Sequence, residues 1–117
     1  MTSSALPGAP VAGTPTVAEP TAAQLAAFRI QLLEQRRFRI DQLEMLNRAS
    51  RGRTEITVSL MIGAHSALRD VTSALQRMDD GSYGACTICG EQIPLERLEV
   101  LPQLAMCMSC QRAAEIG

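Results

Sequence analysis

Two stretches of the chain place apolar residues at helical spacing. The first begins at Thr21, where Thr21-x-x-Gln24, directly after Pro20, has the form of a capping box. Side chains at intervals of three or four residues then mark one helix face. They are Leu25, Phe28, Leu32, Ile40, Leu43 and Leu46. Three polar residues interrupt this stripe in mid-helix: Gln35, Arg36 and Arg39.

The second stripe follows a break at residues 47–54, which contain the helix breaker Gly52. Thr54 can cap a new helix, and Glu55 places a negative charge in its first turn. The stripe consists of Ile56, Leu60, Ala64, Ala67, Leu68, Val71, Leu75 and Met78. It ends at residues 79–84, where Gly81 and Gly84 permit turns.

Two long helices joined by a short loop fold back on each other, so we predict an antiparallel coiled-coil hairpin over residues 21–80. Its tip lies at about residues 47–54. Residues 1–20 hold four of the six prolines and lack apolar periodicity, which predicts a disordered N-terminal tail. A docking segment is the alternative interpretation of this tail. The fold class is therefore mainly α.

The composition narrows the range of functions. The 117 residues suffice for one domain, and only two Phe and one Tyr are aromatic, which excludes a large ring-filled core. A net charge of −1 is unlike that of a DNA-coating protein. No signal peptide and no apolar run of about 18 residues is visible, so we expect a cytoplasmic protein without a membrane span.

The four cysteines form two Cys-x-x-Cys pairs, Cys86 with Cys89 and Cys107 with Cys110. Such pairs, separated by 15–20 residues, have the spacing of a four-thiolate zinc site. Each pair makes a tight turn that presents two sulfurs to one tetrahedral ion. We predict one structural Zn²⁺ per chain with these four ligands. Because all four positions are protein ligands, the site is closed and not catalytic.

Two other uses of the cysteines remain open at this point. Redox thiols normally lie at a helix start within a βαβ pattern, which is absent here, and disulfides rarely persist in the cytoplasm. Within the finger, Gly90 lets backbone N–H groups turn toward the sulfurs. We expect a short strand or extended return at residues 93–98 and a short helix at 109–115. His65, the single histidine, is interpreted as partly exposed and not as a ligand.

Several features of residues 74–115 resemble the zinc-finger end of the DksA/TraR family. They are the Gly-Ser-Tyr-Gly turn at 81–84, the Cys-x-x-Cys-Gly-Glu run at 86–91, Arg97-Leu98, Pro102, and the closing Cys-x-x-Cys-Gln at 107–111. The resemblance implies a bacterial transcription regulator that binds RNA polymerase directly and inserts its hairpin into the secondary channel. It further implies ppGpp as co-regulator and no sequence-specific DNA binding.

The predicted tip departs from the family pattern. Well-studied regulators of this family carry two aspartates and an alanine, as D-x-x-D-x-A, at the hairpin tip. Here the tip carries Arg48, Arg51 and Arg53, with no acid before Glu55. We interpret these arginines as partner-binding residues, and a solvated loop is the alternative.

Two classes of function remain, and the first of them comes from the resemblance. The first is a DksA-like regulator that binds RNA polymerase. The second is a zinc-stapled protein-interaction module with a different partner. Neither is an enzyme, because the sequence offers no nucleophile–base pair and no open metal site.

Overall fold

The computed structural model describes residues 18–49 and 54–116. The element order is α1 (Ala22–Ala49), α2 (Glu55–Asp80), α3 (Leu95–Val100) and α4 (Met108–Ile116). Most of the predicted tail, residues 1–17, and half of the predicted tip, residues 50–53, lie outside the described residues. Among the described helices, none is both long and apolar enough to cross a membrane.

Local capping chemistry fixes the starts of the two long helices. The Thr21 N–H donates to Gln24 Oε1 (2.8 Å), and the Gln24 N–H donates back to Thr21 Oγ1 (3.1 Å). Thr54 Oγ1 accepts a hydrogen bond of 3.1 Å from the Thr57 N–H at the start of α2. The predicted capping box and the predicted N-cap are therefore both confirmed. The 28 residues of α1 span about 40 Å.

The two long helices pack against each other as an antiparallel hairpin. Phe28 and Leu32, early in α1, share a buried cluster with Val71, late in α2. Leu43, late in α1, shares a second cluster with Met61, early in α2. The chain is elongated, as expected for a projecting hairpin, with principal extents of 76 × 35 × 21 Å.

The predicted stripe of α2 is wrong in its first two turns. Ile56 is 73% exposed and Leu60 is 48% exposed, whereas Met61 is buried. The physical reason lies in the spacing: steps of four residues from Ile56 through Leu60 to Ala64 rotate around the helix by about 40° each. Alternating steps of three and four, starting at Met61, keep the side chains on the face toward α1.

Two buried clusters hold the molecule together. The base cluster joins both long helices to the residues after α2 and comprises Phe28, Leu32, Val71, Ala74, Tyr83, Ile93 and Leu98. The distal cluster lies toward the tip and comprises Leu43, Met61 and Ala64. The polar interruption of the α1 stripe falls between them in sequence. The base of the hairpin and the finger thus share one core.

The prediction of a strand or extended return at residues 93–98 is wrong. These residues run into α3, which begins after Pro94, and the Arg97 and Leu98 N–H groups donate to the Pro94 carbonyl. Glu96 suits the first turn of a helix, and Leu98 is fully buried in the base cluster. In the described residues the only β-type pairing is an isolated bridge between Ala85 and Gln92. A strand at residues 93–98 would therefore have no neighbouring strand to pair with.

Gly84 adopts a backbone conformation that other residues disfavour, with φ +94°. A Cβ atom at this position would lie 2.8 Å from Gln92 Nε2, which itself donates to the Gly84 carbonyl over 2.9 Å. We expect Gly84→Ala to lower the free energy of unfolding by about 1–3 kcal/mol.

Gly63→Ala is the matched control for this substitution. Gly63 is exposed within α2, and an added Cβ would have no neighbour within 4 Å. Helix propensity should then stabilise the control by up to about 1 kcal/mol. Chemical denaturation of both variants measures the difference, and an equal effect of the two substitutions would contradict the strain at Gly84.

Candidate metal centre

The first cysteine pair lies on a tight turn between residues 85 and 92. The Cys86 N–H donates to the Glu91 carbonyl (2.8 Å), and the Gly90 N–H donates to the Cys86 carbonyl (2.9 Å). Gly90 has φ +81°, so the turn closes at the position expected from the sequence. The Ile88 N–H points at the Cys86 sulfur over 3.4 Å.

The second pair lies at the start of α4. The Cys110 N–H points at the Cys107 sulfur over 3.4 Å, and the Gln111 N–H donates to the Cys107 carbonyl over 2.9 Å. The short helix expected at 109–115 is confirmed as α4. Its first turn therefore places a backbone N–H group beside the Cys107 sulfur.

The structure brings the four sulfurs together. The Sγ atoms of Cys86, Cys89, Cys107 and Cys110 all lie within 4.8 Å of one another, and all four are free thiols. The Sγ atoms of Cys89 and Cys107 are 3.7 Å apart. Sulfurs at about 2.3 Å from one tetrahedral zinc ion lie about 3.8 Å apart. The cluster therefore fits a single zinc ion.

The surroundings of the sulfurs differ from one cysteine to another. Hydrogen bonds from the backbone N–H groups of Cys89 and Cys107 lower the pKa of the Cys86 thiol to about 6. The side chain of Cys107 and burial raise the pKa of the Cys110 thiol to about 12. Without an ion, one thiol can donate a hydrogen bond to another, as between Cys89 and Cys107. Zinc binds the deprotonated sulfurs, so protons compete with the ion and the affinity for zinc falls as the pH falls.

The other predicted residues lie away from this cluster. His65 is exposed on α2 and is not among the residues that gather around the sulfurs. Arg48 is exposed in the last turn of α1, at the far end of the hairpin from the finger. Arg51 and Arg53 lie outside the described residues.

Sequence reasoning missed the side chains that support the segment before the second cysteine pair. The Tyr83 hydroxyl donates to the Pro102 carbonyl over 2.8 Å, and Arg77 donates to the Leu104 carbonyl over 3.2 Å. These pairs are 19 and 27 residues apart in sequence, so no local pattern could indicate them. Tyr83 could be singled out in part from the sequence, because it belongs to the Gly-Ser-Tyr-Gly turn that resembles the family.

The site and the fold define a class of protein: a four-cysteine zinc finger packed on the base of a helical hairpin. Residues 81–115 match the prokaryotic DksA/TraR C4-type zinc finger. Two structures solved for similar proteins extend the likeness to the hairpin. DksA2 from Pseudomonas aeruginosa is 28% identical with a TM-score of 0.69, and the match covers 86% of this chain and 90% of that one. The second structure is the Chlamydia trachomatis protein Dks, 29% identical with a TM-score of 0.55 over 86% of this chain and 96% of that one.

Curated relatives match over about two fifths of the chain. General stress protein 16O of Bacillus subtilis is 46% identical over 48 residues, which are 41% of this chain and 29% of the relative. The RNA polymerase-binding transcription factor DksA of Escherichia coli K12 is 33% identical over 49 residues, or 42% of this chain and 32% of the relative. The chain thus aligns with about a third of the length of these relatives. Residues 81–115 thus match the DksA/TraR zinc finger, the fold resembles that of the two solved structures, and the chain holds one structural zinc ion.

Proposed function

We propose that this protein is a DksA-like transcription regulator that binds RNA polymerase directly. The observation that carries the proposal is the combination of finger and projecting hairpin in one chain. The same combination, at a TM-score of 0.69, occurs in a transcription factor, DksA2. The Chlamydia protein of similar fold is described as an RNA polymerase-binding protein and transcriptional regulator.

The surface of the hairpin has features that favour binding to a protein partner. Toward the tip, several large apolar side chains are exposed: Phe38, Met45, Ile56, Leu60 and Ile62. Contiguous exposed apolar surface is typical of interaction sites, so these side chains are candidates for contact with a protein partner. A hairpin with helices about 40 Å long can enter a pore of a larger protein. We therefore propose insertion into the secondary channel of the polymerase, without sequence-specific DNA binding.

The finger has a structural role in this proposal. We propose Cys86, Cys89, Cys107 and Cys110 as the four zinc ligands. With four protein ligands, the ion has no open position for water or substrate, so the proposed role is binding and not catalysis. The resemblance extends the proposal to ppGpp as co-regulator and to the cytoplasm as the location, where RNA polymerase works.

A binding titration with purified core RNA polymerase tests the proposal directly. A photo-reactive residue placed at Arg48 should crosslink to residues that line the secondary channel, and mass spectrometry identifies them. The matched control carries the same group at Arg112, which is exposed on α4 of the finger. If the polymerase does not bind, or if Arg48 crosslinks elsewhere on it, channel insertion is wrong. Binding of a different protein from lysate would then favour the interaction module.

The tip arginines should tune the affinity of this complex. Replacing Arg48, Arg51 and Arg53 with alanine removes three guanidinium groups that stay charged at any cellular pH. Exposed charge pairs contribute about 0.2–1 kcal/mol each, so binding at low salt should weaken roughly tenfold. The loss should shrink at high salt, because ions screen the attraction.

A variant with the same change in net charge is the control for this triple substitution. Arg36, Arg69 and Arg112 are exposed and lie away from the tip. Their replacement by alanine should leave the affinity closer to that of the unmodified protein. Equal affinities of the tip variant and the unmodified protein at low salt would favour the solvated-loop interpretation.

A further inference from the structure

The segment that leads to the second cysteine pair is held by side chains and not by regular secondary structure. Residues 101–106 lie between α3 and α4. Three carbonyl groups of this segment, those of Pro102, Leu104 and Ala105, accept hydrogen bonds from other parts of the molecule. The donors belong to Arg77, Tyr83 and Thr87, and we refer to these three residues as the carbonyl clamp.

Tyr83 is the most enclosed donor of the carbonyl clamp. It is 7% exposed, and its ring centroid lies 5.9 Å from that of Phe28 on α1. Its hydroxyl donates to the Pro102 carbonyl over 2.8 Å. Burial raises the pKa of Tyr83 to about 12, so the hydroxyl keeps its proton and remains a donor near neutral pH.

Arg77 brings a buried charge to the end of α2. It is 8% exposed, and in the described residues it forms no ion pair within 4.0 Å. Nη1 donates to Ser73 Oγ over 2.7 Å and Nη2 donates to the Leu104 carbonyl over 3.2 Å. Burying a guanidinium without a carboxylate has a cost in free energy, and the hydrogen bond to Leu104 offsets part of it. Arg77 therefore ties the hairpin to the segment before Cys107.

Thr87 joins the two cysteine pairs directly. Its N–H and its Oγ1 both donate to the Ala105 carbonyl, over 2.8 Å and 3.0 Å. Thr87 follows Cys86 in sequence, and Ala105 lies two residues before Cys107. A double hydrogen bond at this place sets the distance between the two halves of the metal site.

We propose that Arg77, Tyr83 and Thr87 are positioning residues of the zinc site. By holding three carbonyl groups of the segment 102–105, they keep Cys107 and Cys110 opposite the first pair in the zinc-loaded protein. The ion then leaves slowly, because the second pair cannot move away from it. Groups behind metal ligands commonly change metal affinity by about 10- to 100-fold when they are removed.

The rate of zinc release to a chromophoric chelator tests the role of the carbonyl clamp. Tyr83→Phe deletes one oxygen atom and keeps the ring in the base cluster, and Arg77→Met deletes the donors and keeps much of the apolar volume. We expect both variants to release zinc about tenfold faster than the unmodified protein. Arg69→Met, at an exposed position of the same helix, should release zinc at the unmodified rate.

Hydrogen exchange of the zinc-loaded protein separates positioning from general loss of structure. If Tyr83→Phe or Arg77→Met no longer holds the segment before Cys107, backbone amides near 105–110 should exchange faster. The amides of the distal part of the hairpin should keep their protection. In Arg77→Lys, one donor can still reach Leu104, so its release rate should lie between those of Arg77→Met and the unmodified protein. If Arg77→Met unfolds, Tyr83→Phe decides: an unmodified release rate in Tyr83→Phe would overturn the proposal.

Discussion

Replacing Cys107 with serine is expected to release the zinc ion and unfold the finger, while the distal part of the hairpin stays helical. The finger has little apolar core of its own: α3 has six residues, and α4 has nine, none of them buried. In such small units metal binding supplies most of the folding free energy. The bound zinc, measured by elemental analysis, should fall from one ion per chain to nearly none.

Circular dichroism should show a partial loss of helix in Cys107→Ser. The loss should include the finger helices and the base of the hairpin, because Tyr83, Ile93 and Leu98 belong to the base cluster. Ser109→Ala is the control, since Ser109 lies between the two cysteines of the second pair and is exposed. Retention of a full zinc ion by Cys107→Ser would show that a different set of groups holds the metal.

Leu32→Ala is expected to destabilise the folded protein by about 2–5 kcal/mol. Leu32 is 0% exposed and lies in the base cluster, where α1 meets both α2 and the finger. Removing its side-chain atoms leaves a cavity. The neighbouring side chains belong to several closely packed elements and cannot move in to fill it. For a chain of this size the loss corresponds to a fall in melting temperature of roughly 10 °C or more.

Leu33→Ala provides the matched control for this prediction. Leu33 is the next residue of the same helix and is 47% exposed, so the same substitution removes little buried surface. Thermal unfolding of the two zinc-loaded variants should differ by several degrees. Similar melting temperatures would mean that the base cluster contributes little to stability.

Features set by neighbouring residues could be predicted from the sequence. The Thr21 capping box and the Thr54 cap each lie within four consecutive residues, and both occur as expected. The gathering of the four thiols could also be predicted, because the spacing of two Cys-x-x-Cys pairs reflects the geometry of one tetrahedral ion. Helix capping acts within one turn before any tertiary contact forms, and the cysteine pattern is set by the ion and not by the packing of the core.

Features set by distant contacts could not be predicted. Leu60 and Met61 lie four and three residues before Ala64, so both steps fit one helix face, and packing against α1 decides that Met61 is buried. At residues 93–98 a local signal existed but was misjudged, because Leu95, Glu96 and Arg97 after Pro94 are good helix formers. The hydrogen bond from Arg77 to Leu104 leaves no periodic signal in either partner.

The separation of the two buried clusters divides the hairpin into units of unequal stability. The base cluster draws residues from both long helices and the finger, whereas the distal cluster has three buried members. Local opening requires least free energy where few apolar contacts must break. The distal helix turns can therefore fray and re-form on their own while the metal site stays intact. A hairpin built in this way can adjust its far end to the walls of a narrow pore without unfolding at its base.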